Sequence, residues 1–159
     1  MTLKIVILSD LHIVREGEAT HTLDTADRLA RGVAAINARH ADADFCVLAG
    51  DLADLGEAEA YVRLQSILSE LTVPCHITLG NHDNRPVFLE VFGKDYEAET
   101  GCIDKVIDHK GYRTILLDSS EPGIHPGVLT DAQYDWLEER LLEAADKPFI
   151  VILHLFFFF

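Results

Sequence analysis

Three short apolar runs in this chain of 159 residues each end in a polar cluster, and no other feature constrains the fold as strongly. Continuous runs rich in Ile and Val are typical of strands that are covered on both faces. The pattern therefore predicts buried strands whose ends carry the chemistry. The runs and their clusters are 3–9 with Asp10-Leu11-His12, 44–49 with Gly50-Asp51, and 73–79 with Gly80-Asn81-His82-Asp83.

Segments with helical spacing separate these runs. Apolar residues recur at helical spacing in 22–40 and in 57–71, and 86–92 predicts a short helix. Repeated strand–helix–strand order predicts an α/β fold with a largely parallel sheet. A chain of this length fits one domain, and residues 1–159 show neither an internal repeat nor a linker.

Beyond Gly93 the pattern predicts two strands, a helix and a final strand. The strands are predicted over 102–108 and 113–118, joined by a turn at Lys110-Gly111. A capping box of Thr130 and Gln133 opens a helix predicted over 129–145. The run 149–153 predicts the last strand, which ends at His154. The predicted apolar face of the helix consists of Tyr134, Leu137, Leu141 and Leu142.

The polar clusters have the composition of a divalent metal site. In open α/β sheets, ligands bind beyond the carboxyl ends of the strands, so the clusters should converge at one edge. Mixed nitrogen and oxygen ligands suit Zn, Mn, Fe or Co better than Ca or Mg. Glycines at positions 50 and 80 let the backbone turn where a larger residue would crowd a metal. The candidate ligands are Asp10, His12, Asp51, Asn81 and His154.

Each cluster taken alone has an ordinary interpretation. A D-x-H triplet occurs by chance in many proteins, and a Gly-Asp pair after an apolar strand is usually a turn. A histidine at a strand end, such as His154, is more often a satisfied polar residue than a ligand. It is their order, each directly after a β-type run, that indicates a metal centre.

In this order the motifs resemble those of the calcineurin-like metallophosphoesterases. They are D-x-H, G-D and G-N-H-D, followed by a histidine after an apolar strand. Within that superfamily the chain is most similar to the branch of class III cyclic-nucleotide phosphodiesterases and glycerophosphodiesterases. The resemblance covers residues 3–154. Further matching segments are Ile7-Leu8-Ser9-Asp10, Ala49-Gly50-Asp51-Leu52, Leu117-Asp118-Ser119-Ser120, and Leu129-Thr130 ahead of Trp136-Leu137.

The resemblance implies a fold and a cofactor. The fold would be a layered α/β/β/α sandwich, and the cofactor would be two divalent metal ions. Asp10 and His12 would hold the first ion, Asn81 and His154 would hold the second, and Asp51 would bridge both.

The resemblance also implies an enzyme, a phosphodiesterase. A hydroxide activated by the two metals would attack a small phosphodiester of the cyclic-nucleotide or glycerophosphodiester type. His82 would not be a ligand but would act as general acid towards the leaving alkoxide. Asn81 and His82 would both bind the substrate.

The chain departs from the family pattern after His154. The family continues there with a second histidine and two prolines, whereas this chain has Leu155 and four phenylalanines. A later G-H-x-H motif, which supplies one ligand to each metal, does not occur. We therefore expect a truncated or frame-shifted product whose sandwich is incomplete at its C-terminus. The histidines that do not match the missing motif are His21, His40, His76, His109 and His125.

Two other functional hypotheses compete with an active enzyme. One is an inactive or weakly metal-binding fragment, which needs a partner chain or the missing part of the domain. An exposed sheet edge in such a fragment would invite pairing, so a homo-oligomer is compatible with it. The other, a flavodoxin-like nucleotide-binding module, is disfavoured because no Gly-rich phosphate loop follows the first run. His125 could approach a substrate from its loop, but a solvated histidine is the commoner case.

Charge and cysteine content restrict the partners. The formal net charge of −14 repels nucleic-acid polymers unless cations intervene. The run 3–8 is too short for a signal peptide or a membrane span. The three cysteines are widely spaced and form no C-x-x-C motif, which favours a reducing compartment. We expect a cytoplasmic protein that acts on a small substrate.

Overall fold

The computed structural model describes residues 2–20, 22–121, 126–144 and 146–155. His21, His125 and the phenylalanines at 156–159 lie outside the described residues. A single 3₁₀ turn at Lys94–Tyr96 follows the third helix. The strands and helices are β1 Ile5–Leu8, α1 Thr25–Arg39, β2 Phe45–Ala49, α2 Ala58–Leu68, β3 Cys75–Thr78, α3 Arg85–Phe92, β4 Lys105–His109, β5 Tyr112–Leu117, α4 Asp131–Glu143 and β6 Phe149–Leu153.

The described residues form two sheets of three strands rather than one largely parallel sheet. The first sheet has the order β1-β2-β3 and is parallel throughout. The second has the order β4-β5-β6, in which β4 and β5 are antiparallel and β5 and β6 are parallel. Lys110 and Gly111 both have positive φ angles, 49° and 82°, which permits the tight turn between β4 and β5. The predicted turn is confirmed, and it makes the second sheet mixed.

Three apolar cores separate four layers, in the order α/β/β/α. The helices α1, α2 and α3 cover one face of the first sheet, and the other face packs on the second sheet. Helix α4 covers the outer face of the second sheet. Full burial of a Leu side chain stabilises a fold by about 1.5–3 kcal/mol. The predicted fold class is confirmed. Representative buried residues of the three cores are Leu29, Leu48 and Leu64, then Phe45, Val47 and Leu116, then Ile115, Leu117 and Trp136.

Strand β1 is less covered than its apolar sequence predicts. Ile7 exposes 51% of its surface, although a strand covered on both faces was expected. The reason is topological: β1 is the edge strand of the first sheet, so only β2 flanks it within the described residues. Hydrophobicity of the run alone does not distinguish an edge strand from a central one.

The buried face of α4 differs from the prediction. Tyr134 is 56% exposed and Leu142 is 70% exposed, whereas Gln133 and Trp136 are buried. The capping box is confirmed, because the Thr130 hydroxyl accepts from the Gln133 amide at 3.2 Å. The Gln133 amide group also donates to buried polar groups of the second sheet. This tertiary contact, rather than apolar spacing, determines which face of the helix is turned inwards.

Candidate metal centre

The loops after β1 and β2 lie side by side at the carboxyl edge of the first sheet. The Asp10 amide donates to the Gly50 carbonyl at 3.3 Å, and the His12 amide donates to the Asp51 carbonyl at 3.0 Å. Asp10, His12 and Asp51 all adopt positive φ angles, of 56°, 44° and 51°. Such conformations cost about 1–3 kcal/mol each in non-glycine residues and cluster at functional sites. The convergence predicted for these strand ends is present.

Five of the predicted site residues offer ligand atoms in two compact groups. His12, Asp51 and His82 form one group, and Asp10, Asp51 and His154 form the other. Within each group the candidate ligand atoms lie within 4.8 Å of one another. Asp51 belongs to both: its Oδ2 is 3.8 Å from His12 Nε2 and 3.2 Å from His154 Nε2. A single buried carboxylate therefore lies between two sets of nitrogen and oxygen donors.

The grouping differs from the division that the family resemblance implies. That division pairs Asp10 with His12 and Asn81 with His154, whereas the distances place Asp10 with His154 and His12 with His82. Asn81 contributes in another way. Its side-chain oxygen is buried and has no hydrogen-bond partner among the described residues. A buried acceptor without a donor is unfavourable, and a cation would satisfy it.

Two glycines make the close approach of these loops feasible. Gly50 has a φ of +80°, and a Cβ added there would lie 2.5 Å from the Cβ of His154. A Cβ added to Gly80 would lie 2.4 Å from Oδ1 of Asp51. Neither position can hold a side chain without displacing a candidate ligand, as the sequence pattern predicts.

Two of the three histidines, His82 and His154, are oriented by a hydrogen bond at Nδ1. His82 Nδ1 lies 2.8 Å from the Asp54 carbonyl, and His154 Nδ1 lies 3.0 Å from the Ala49 carbonyl. Because a carbonyl can only accept, these two Nδ1 atoms carry the hydrogen, and Nε2 is directed to the site. His12 Nδ1 lies 3.1 Å from Oδ1 of Asp54, a close charge contact without hydrogen-bond geometry. Metal-binding histidines commonly have such carbonyl or carboxylate partners.

A comparison with known protein families identifies the family of this chain. The model of the calcineurin-like phosphoesterase family matches residues 3–158. This chain belongs to that family. The family resemblance deduced from the motifs is confirmed.

Relatives of this family member include proteins named as phosphodiesterases. A probable cyclic nucleotide phosphodiesterase of Rhodopseudomonas palustris is 36% identical, over 96% of this chain and 57% of that protein. The 3',5'-cyclic adenosine monophosphate phosphodiesterase CpdA of Pseudomonas aeruginosa is 31% identical, over 94% and 54% respectively. A probable glycerophosphodiester phosphodiesterase GpdQ of Arcobacter nitrofigilis is 31% identical, over 94% and 56%. The chain spans about half the length of the curated relatives it matches.

Asp54 was not singled out from the sequence, yet it contacts two histidines of the candidate site. Its carbonyl orients His82, its carboxylate lies beside His12, and the Thr20 hydroxyl donates to that carboxylate at 2.7 Å. The sequence signal that could have identified it was an Asp three residues after Asp51, in the loop that follows β2. Its function as an orienting group depends on contacts that the sequence does not show.

Asp83 has a structural role that the motif alone did not reveal. Its buried carboxylate accepts from the amides of Leu52 and Ala53 at 3.1 Å, from the Gly80 amide at 2.9 Å and from the Tyr61 hydroxyl at 3.0 Å. Burial nevertheless raises the pKa of Asp83 to about 6. The carboxylate fastens the loop after β2 to the loop after β3, which carries Asn81 and His82.

The electrostatics of Asp51 favour its charged form. Burial opposes ionisation, but hydrogen bonds from His154 and from the His82 amide outweigh it, so the pKa of Asp51 lies below its ordinary value. The hydrogen bond with Asp51 raises the pKa of His154 in turn, against the effect of burial. A cation bound between them would displace the proton from His154, because a ligating imidazole must be neutral.

Helices long and apolar enough to cross a bilayer are absent from the described part of the chain.

Proposed function

We propose that this chain carries the divalent metal centre of a phosphodiesterase that hydrolyses small phosphodiesters. The observation that carries the proposal is Asp51, one buried carboxylate shared by two groups of His and Asp side chains. Buried charges are costly unless they are paired or coordinate a metal. Family membership supports the same chemistry.

The side chains present fit two divalent cations. Imidazole nitrogens combined with carboxylate and amide oxygens suit Mn, Fe, Zn or Co. His12 with Asp51 would hold one ion, and Asp10 and His154 with Asp51 would hold the other, while His82 beside the first ion would stay uncoordinated. The unpartnered Asn81 oxygen faces no competing donor in the described structure, so it is available to a cation or to its water shell.

When bound, the two cations would polarise the phosphate and lower the pKa of a water that attacks phosphorus. The chain itself would orient the substrate and move the proton. His82 is held through Nδ1 by the Asp54 carbonyl, so its Nε2 can donate a proton to the leaving oxygen. Asn81, the preceding residue in the loop after β3, would bind the phosphate through the NH2 group of its side-chain amide.

The substrate class follows from charge and from the names of the relatives. Cyclic nucleotides and glycerophosphodiesters are the substrates in those names. A net charge of −14 disfavours nucleic-acid polymers, so we propose a small diester. All three cysteines are free, which is compatible with a reducing, cytoplasmic location. We propose further that residues 1–159 form one domain.

The 159 residues on their own should bind metal weakly. Each candidate group contains three side chains and shares one of them, Asp51, with the other group. Sharing reduces the negative charge and the number of donors available to each ion. We therefore propose slow turnover for this chain alone, and a partner chain or a longer protein would increase it.

Calorimetric titration of the purified chain with Mn²⁺ or Co²⁺ tests the proposal, together with hydrolysis of bis(4-nitrophenyl) phosphate. We expect two ions per chain, and turnover that EDTA removes. Asp51→Asn should abolish both, whereas Asp135→Asn, an exposed change on α4, should alter neither. Absence of metal binding in the wild-type chain, or equal binding by Asp51→Asn, would overturn the proposal.

A further inference from the structure

The candidate metal centre combines side chains from two sheets, so its geometry depends on how the sheets are joined at that edge. Asn81 and His82 follow β3 of the first sheet, and His154 follows β6 of the second. Asp118, Ser119 and Ser120 follow β5, the strand beside β6. The loop after β5 is therefore placed to connect the two halves of the site.

One arginine crosses from the first half to this loop. Arg85 is the first residue of α3, directly after the loop that carries Asn81 and His82. Its Nε donates to Oδ2 of Asp118 at 2.6 Å, and its Nη2 donates to the Ser120 carbonyl. The Arg85 side chain is only 15% exposed. A forked guanidinium can hold two acceptors at once, which the single ammonium of a lysine does less well.

Asp118 is a rigid partner for this arginine. Its carboxylate is fully buried, and it also accepts from the Ile103 amide at 3.0 Å and from the Ser120 amide at 2.8 Å. The Asp118 amide donates to Asp104 at 2.8 Å, and the Gln133 side chain donates to the Asp118 carbonyl at 2.7 Å. Every polar group of Asp118 thus has a hydrogen-bond partner. The carboxylate that Arg85 contacts is therefore held in a fixed position.

The same loop also contacts the strand end that carries His154. The Ser119 hydroxyl donates to the His154 carbonyl, and the Ser119 amide lies 3.5 Å from the Leu79 carbonyl. Ser119 in the loop after β5 therefore contacts both the β3 end and the β6 end.

We propose that the Arg85–Asp118 ion pair, here called the clamp, is a positioning device that fixes the Asn81–His82 loop relative to His154. Arg85 acts through the loop and touches neither substrate nor metal. The inference rests on the proposed metal centre for its function, but the clamp itself is a property of the metal-free protein. Breaking a buried pair by removing one partner leaves an uncompensated charge, which is strongly destabilising where it occurs.

Amide hydrogen exchange of the metal-free chain tests the clamp directly. In Arg85→Met we expect the amides of His82 and Asn84, which donate to Asp51 and Tyr61, to exchange at least about tenfold faster. The matched control is Arg113→Met. Arg113 forms an ion pair of similar length with Asp108, at 2.7 Å, but lies in the second sheet and contacts Arg140 and Glu143 rather than the site loops.

Arg85→Lys is the second variant, in case Arg85→Met does not fold. It keeps the charge but loses the fork, so faster exchange at the same two amides, by about threefold or more, is expected. Unchanged protection of His82 and Asn84 in Arg85→Lys or Arg85→Met, or equal acceleration in Arg113→Met, would overturn the proposal.

A second measurement relates the clamp to the metal. We expect Co²⁺ affinity to fall about tenfold or more in Arg85→Met, as for other groups that orient ligands, and to stay unchanged in Arg113→Met. Equal affinities in the two variants would refute the positioning role. If the wild-type chain bound no metal, the proposed function would fail, while the exchange rates would still decide whether the clamp exists.

Discussion

The two sheets contribute to the candidate metal centre in different ways. The first sheet provides Asp10, His12, Asp51, Asn81 and His82, all from loops that directly follow its strands. Three of these residues are held at positive φ. Among the residues that the structure describes, the second sheet provides His154 alone, and its loops carry a buried network of carboxylates and amides instead.

The candidate metal centre therefore depends on neighbouring loops in one half of the fold and on packing between elements in the other. The first half concentrates strained, ligand-rich loops at one edge. The second half presents a single imidazole, and its position depends on contacts such as that between Ser119 and the His154 carbonyl. Mutations in the two halves should therefore impair the candidate metal centre in different ways.

The largest effect on metal affinity is expected from a substitution that fills the space between the two halves of the site. Gly80→Ala would place a methyl group 2.4 Å from Asp51 Oδ1 and 2.9 Å from the His154 ring. We expect Mn²⁺ affinity to fall by more than the roughly 10–100-fold typical of losing a group that orients a ligand. Gly32→Ala in α1 is the control, because nothing lies within 4 Å of the added Cβ. It should stabilise the helix by up to about 1 kcal/mol. Similar metal affinities in the two variants would contradict the geometry described.

Removing the His82 side chain tests the first half alone. In active preparations of the protein, His82→Ala should lower turnover of alkyl phosphodiesters about 10²–10⁴-fold if the imidazole acts as general acid. Esters with nitrophenolate leaving groups need little protonation and should lose less. Metal stoichiometry distinguishes the alternative, because His82 also lies within ligand distance of His12 and Asp51. A drop from two ions to one would make His82 a ligand, and equal losses for both ester classes would exclude the acid role.

The second half is tested by His154→Ala. This change removes the imidazole 3.2 Å from Asp51 Oδ2 and leaves the group of His12, Asp51 and His82 intact. We expect one ion per chain to be lost or bound about 10–100-fold more weakly, with the other retained. His109→Ala, an exposed histidine of the same sheet, is the matched control. Retention of two tightly bound ions in His154→Ala would mean that the second sheet contributes no ligand.

The packing between the sheets should be sensitive to acid through His76. Burial lowers its pKa from 6.5 to about 4, and its ring lies 5.4 Å from that of Phe45. Because the folded pKa is depressed, stability from neutral His76 is present above about pH 6.5 and is lost as the pH falls towards 4. Between pH 7 and 5, urea unfolding of the wild type should lose about 1 kcal/mol more than His76→Asn, a value reduced for partial exposure. Identical pH dependence in both proteins would exclude this contribution.

The smallest effect, a change in the free energy of unfolding, is expected from a substitution on the outer face of the second half. Leu142 is 70% exposed on α4, so Leu142→Gln should change the free energy of unfolding by no more than about 0.5 kcal/mol. Trp136→Ala on the buried face should cost about 3 kcal/mol or more. Comparable losses in the two variants, measured by urea unfolding, would restore the apolar face predicted from sequence spacing.

The local structure of this protein could be predicted from its sequence. Apolar runs determine where strands form, and a polar residue directly after a strand necessarily lies at the sheet edge. For this reason Asp10, His12, Asp51 and Asn81 could be placed at one edge, and the need for glycine at 50 and 80 could be anticipated. The helix start at Thr130 follows from a capping box, which is equally local.

Only the tertiary structure decided how distant segments meet. The pairing of Asp10 with His154, the orienting contacts of Asp54 and the clamp between Arg85 and Asp118 all join residues far apart in the chain. The division of the strands into two sheets and the burial of Gln133 rather than Leu142 are of the same kind. Sequence periodicity reports the environment of a residue along its own helix or strand. Which strand becomes an edge, and which carboxylate meets which imidazole, depends on packing between elements that periodicity does not encode.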